Sequence, residues 1–98
     1  MLHREPKVYV TLNITLTEKR ALGVHVSGPM GRPVLVDDVA PTSHANGILR
    51  HGDEIVSING IATTKGAGHA SDCLDDLSPG VNVIVVRRSK GSTQAVAN

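Results

Sequence analysis

Leu49-Arg50-His51-Gly52-Asp53-Glu54-Ile55-Val56-Ser57-Ile58-Asn59-Gly60 is the stretch on which the reading of this chain turns. Gly52-Asp53 closes a tight loop, Glu54 to Ile58 follows as a short strand, and Asn59-Gly60 is a strong two-residue hairpin signal. Working outward, Val34 to Val39 forms a strand rich in β-branched residues, joined through the turn-rich Gly28–Pro33 loop to a short strand at Leu22–Ser27. From Lys7 to Thr17 the even positions Val8, Val10, Leu12, Ile14 and Leu16 are apolar and the odd ones mostly polar. Alternation with period two puts one row on a core and the other in water, as in a half-buried strand. Ala40-Pro41-Thr42-Ser43 breaks the third strand and predicts a one-turn helix with a Ser or Thr N-cap, closed by Gly47. Downstream, Ala70, Cys73, Leu74 and Leu77 recur at i, i+3, i+4 and i+7, one stripe of a longer helix ended by Pro79-Gly80. Val81 to Arg87 is the last strand.

The chain has 98 residues, room for one core. A net charge of +1 argues against a polyanion binder driven by bulk charge, and Tyr9, the single aromatic residue, leaves little for stacking on bases. The longest apolar run, Val83 to Val86, is four residues, against about 20 for a spanning helix. No secretory signal precedes the first strand, and one cysteine, Cys73, excludes an internal disulfide framework. Both suit a reducing, cytoplasmic setting. His3, His44 and His51 lack metal-ligand spacing, and no nucleophile–base set can be placed, so neither metal, cofactor nor catalysis is expected. The expected fold is mainly β with two helices. It is a five- to six-stranded, partly open antiparallel barrel or sandwich over residues 7–88, capped by one short and one longer helix, with flexible flanks at 1–6 and 89–98.

Four segments, in order, resemble the PDZ family of peptide-binding domains. Ala21-Leu22-Gly23-Val24 is similar to its Gly-Leu-Gly-Phe carboxylate-binding loop, and Ala40–Gly47 to its short first helix. Leu49–Gly60 is similar to its Leu-x-x-Gly-Asp-x-Ile-x-x-Val-Asn-Gly stretch, and Gly66–Leu77 to its second helix. Ala21 stands for the first loop glycine and Val24 for the phenylalanine, which removes aromatic bulk from the pocket. The likeness to eukaryotic scaffold and adaptor members implies a non-catalytic module that binds C-terminal tails by strand addition between the second strand and the second helix. The backbone N–H groups of Leu22, Gly23 and Val24 would hold the carboxylate, helped by Lys19 or Arg20. The groove would be lined by His25, Val26, His69, Ala70, Cys73, Leu74 and Leu77.

Two registers are open for the helix. His69 in the first groove position would favour Ser or Thr two residues before the ligand's terminus, with a hydrophobic last residue. Ala70 there would favour an apolar residue and agrees better with the stripe. The expected partners are tails of membrane or signalling proteins, bound by a monomer at the inner face of a membrane. Arg87, Arg88 and Lys90 offer a weak phosphoinositide contact. Alternatives are a substrate-recognition domain of a larger, protease-type enzyme, or a module for internal motifs or for another PDZ domain.

Overall fold

In the computed structural model, residues 6–89 are described; the first flank except Pro6, and Lys90 with the rest of the tail, lie outside them. Strand β1 (Lys7–Leu16) pairs along its whole length with β6 (Gly80–Ser89), from Lys7 opposite Ser89 to Leu16 opposite Gly80. The alternation of β1 buries Ile14 and Leu16 fully, while Val10 and Leu12 pack at the margin of the core and Val8 stays exposed. β6 continues through β4 (Glu54–Ile58) to β3 (Val34–Val39) and β2 (Val24–Ser27), with β5 (Ile61–Ala62) hanging from β4 by the Asn59-Gly60 turn. All pairings are antiparallel. Asn59 and Gly60 both have positive φ, as the hairpin requires. The sheet is open, with β1 and β2 at the two ends of its path rather than joined into a barrel.

Among the described residues one helix is present, α1 (Ala67–Asp75), and this corrects the expectation of two. The Ala40–Gly47 segment is a chain of reverse turns, Ser43 N–H bonding Ala40 C=O, Asn46 N–H bonding Ser43 C=O and Ile48 N–H bonding Ala45 C=O. The predicted cap does form without its helix: Ser43 Oγ accepts the Ala45 N–H at 2.9 Å. That hydroxyl also donates to the Leu22 carbonyl, and Asn46 Nδ2 donates to the Pro41 carbonyl. Side chains that bond nearby backbone compete with helix formation, and here they prevail. Ala45 and Leu49 are drawn into the core in consequence.

The core joins Ile14 and Leu16 of β1, Val34 and Val36 of β3, Ile55 and Ile58 of β4, Ile84 and Val86 of β6, and Ala70, Leu74 and Leu77 from the helical region. Three polar residues are buried, Asp53, Thr63 and Asn82, and Asp53 is the most deeply so, 2 % exposed. Its carboxylate accepts the Arg50 N–H and both Nε (3.0 Å) and Nη2 (2.6 Å) of Arg88, which also reaches the Ile48 carbonyl. A buried carboxylate is tolerable only with such partners. The Gly-Asp pair thus ties the loop before β4 to the last strand.

Candidate functional site

β2 ends the sheet, and α1 lies along its open side. The two are joined by backbone at both ends: Ala67 N–H donates to the Gly28 carbonyl (2.8 Å), and Leu22 N–H donates to the Leu74 carbonyl (3.3 Å). Helix ends leave N–H and C=O groups without intrahelical partners, and these two bonds each satisfy one. They also set α1 antiparallel to β2 and define the groove between them. Gly66 enters the helix at φ +91, and a Cβ there would lie 2.9 Å from the Met30 nitrogen. No side chain can occupy that position without moving the β2–β3 loop.

At the head of β2, Gly23 turns the chain at φ +75, and its carbonyl accepts the Ala40 N–H. That bond makes Val24 opposite Val39 the non-hydrogen-bonded pair of the ladder, so the Val24 N–H and C=O point outward, to the open edge. The Leu22 N–H already serves Leu74. Leu22 and Val24 are buried, Val26 is half-buried and His25 faces solvent. Lys19 turns toward the helix terminus and pairs with Asp76 at 2.7 Å, while Arg20 is exposed and forms no ion pair among the described residues. The Lys19 ammonium, by hydrogen bond and by charge, holds the Asp76 carboxyl below its ordinary range.

The residues of α1 and of the turn that follows it divide between surfaces. Ala70, Leu74 and Leu77 face the core. His69, Cys73 and Asp76 line a cavity with Ile58, Ile61 and Asn82, on the side of α1 turned from β2. Ala67 and Ser71 lie about 160° and about 200° around the helix from His69, at 100° per residue. Both are half-buried.

The basic cluster at the end of β6 is committed. Arg87 pairs with Glu54 at 3.1 Å and lies 5.9 Å from the Tyr9 ring centroid, Arg88 is held by Asp53, and Lys90 is outside the described residues. Among the described residues no three His, Cys, Asp or Glu side chains are placed to hold a metal ion, and no helix is long and apolar enough to cross a membrane.

A six-stranded antiparallel sheet with one helix beside its edge strand is a PDZ-like arrangement. The chain is similar to the crystal structure of the second PDZ domain of Dlg1 from the choanoflagellate Monosiga brevicollis, with a TM-score of 0.68 and 23% identity over 84% of this chain and 100% of that one. The fold is therefore PDZ-like. No family model matches the sequence, and no curated protein matches it significantly.

Proposed function

We propose that this chain is a non-catalytic interaction module that binds the C-terminal tails of partner proteins by strand addition to β2. One observation carries the reading: an edge strand with outward-facing backbone runs beside a helix, and a glycine-turned loop stands at its head. A tail laid antiparallel to β2 gains main-chain bonds from Val24 and Val26 and ends against the Gly23–Val24 N–H groups. The Leu22 N–H joins them once it leaves Leu74, and Lys19 and Arg20 supply positive charge. The last ligand side chain packs against Leu22, Val24, Val26 and Leu74.

Along the groove the helix offers Ala67 and Ser71 rather than an imidazole. The Ser71 hydroxyl accommodates Ser or Thr two residues before the ligand terminus, so His69→Ala leaves peptide affinity unchanged. Such a module serves a scaffold or adaptor that gathers signalling proteins in the cytoplasm beneath a membrane. Fluorescence polarisation with tails ending in Val, Leu or Ile tests the proposal. The free acid binds in the micromolar range, about −8 kcal/mol, and the C-terminal amide loses at least about tenfold of that affinity, or about 1.4 kcal/mol. Equal binding of acid and amide would overturn carboxylate capture and leave the β2 edge to internal segments.

A further inference from the structure

At the end of the sheet path away from the groove, β1 is the less guarded edge. Edge strands are normally kept from pairing with other chains by shortness, proline, charge, a bulge or a covering element. β2 has three of these: it is four residues long, bulged between His25 and Val26, and flanked by α1. β1 runs ten residues with no proline and no break in its register. Its single charged side chain, Lys7, sits at the start and is paired with Glu54 across β6. Which backbone groups face outward follows from Val83. Its N–H and C=O are both spent on Asn59, on the side away from β1, so Asn13 and Val83 form a non-hydrogen-bonded pair. Alternation then turns the N–H and C=O of Lys7, Tyr9, Thr11, Asn13 and Thr15 to the free edge, where they meet no partner among the described residues.

We propose that this edge is a dimer interface, β1 pairing antiparallel with β1 of a second copy of this chain about a two-fold axis at Thr11. Outward groups must meet outward groups, so only registers that join odd positions are allowed, and the one centred on Thr11 engages all five. Lys7 then lies opposite the partner's Thr15, Tyr9 opposite the partner's Asn13, and Thr11 opposite its own copy. Two bonds per pair give about ten hydrogen bonds, the number a standard interface carries. On the other face Val10 comes opposite the partner's Leu12, and Val8, 37% exposed, opposite the partner's Ile14. The edge is thus its own complement: no like charges meet, threonine faces threonine at the axis, and no charge is left for an acidic or basic strand to recognise. The dimer takes the place of the monomer expected from the sequence. Because β2 lies at the far end of the sheet path, a groove stays open at each end of the joined sheet, and a partner carrying two tails is held at both. That last consequence rests on the tail-binding proposal; the dimer does not.

Sedimentation equilibrium of the whole chain without peptide, from about 5 µM to about 1 mM, reads the association: the average mass climbs from one chain toward two, with a midpoint in the micromolar range. A mass that stays at one chain throughout, or passes beyond two, would overturn the proposal. Hydrogen exchange then locates the contact. The amides of Val10, Leu12 and Ile14, bonded to β6, are slow at both ends of that range, whereas those of Tyr9, Thr11 and Asn13 are fast when dilute and slow by at least about tenfold when concentrated. Odd-numbered amides that stay fast put the contact elsewhere, and ones that are slow at every concentration put a segment of the same chain on the edge; either result rejects the interface. Thr11→Lys and Thr11→Glu test the axis. Thr11 is exposed, so both variants keep the fold, which far-UV circular dichroism checks. Each sets like charges face to face and weakens self-association by about fivefold, while their equimolar mixture associates more tightly than either alone. Variants that pair as the parent does, or a mixture no tighter than its components, would take Thr11 off the axis and the proposal with it.

Discussion

Asp53 and Lys19 show what a charge does in two environments. The Asp53–Arg88 pair is desolvated and bidentate, so removing one partner leaves the other charged and buried. Arg88→Ala is expected to cost about 3–5 kcal/mol of stability, read by urea denaturation. The Lys19–Asp76 pair is open to water, and its signature is a titration rather than a stability change. Lys19→Ala should return the Asp76 carboxyl toward its ordinary value, followed by carbonyl NMR. Because the folded-state value is lowered, the pair favours folding above the ordinary carboxyl range, and that contribution disappears as pH falls through the lowered value. The Gly52-Asp53 pair was legible in the sequence as a tight loop; its partner on β6, 35 residues away, was not.

Elements whose period is self-evident were read well. β1 and β4 fall where alternation and the Asn59-Gly60 turn put them, while α1 overlaps the predicted stripe but begins at Ala67 and ends at Asp75, before Leu77. The Ala40–Gly47 segment was misread because Ser43 signals a cap equally well whether a helix or a turn follows, and its tertiary bond to Leu22 and the local Asn46–Pro41 bond decide between them. Ser43→Ala removes one donor and one acceptor together, and about 1–3 kcal/mol of stability should go with them in a denaturant melt. The groove register of α1 was likewise illegible. His69 and Ala70 are adjacent in sequence, and which face meets β2 depends on how Ala70 and Leu74 pack into the sheet. Gly66 is the other pivot of this element. Gly66→Ala places a Cβ against Met30 at a positive φ, which is expected to lower stability by more than about 1 kcal/mol by strain alone.

Across the whole molecule, the first and last strands are sheet neighbours, and Arg88 on the last strand holds the loop before β4. β6 pairs with both β1 and β4, so neither can part from it without breaking its ladder, which predicts a single cooperative transition. Tyr9, on β1 opposite Arg87, gives a fluorescence probe of that ladder, and its melt should coincide with far-UV circular dichroism. The bond from Leu22 to Leu74 has a different kind of consequence. At 3.3 Å it is longer than the usual 2.7–3.2 Å range, and it places the helix's own carbonyl on a donor that an incoming tail would use. Under the proposed tail binding, the free protein therefore carries an internal competitor. Apparent affinity equals the intrinsic value multiplied by the fraction of molecules in which Leu22 has let go, and a bond worth about 1 kcal/mol sets that fraction near one sixth. Hydrogen exchange at the Leu22 amide would measure this fraction in the absence of any ligand, and a substitution that loosens the end of α1 would raise association without adding a single contact.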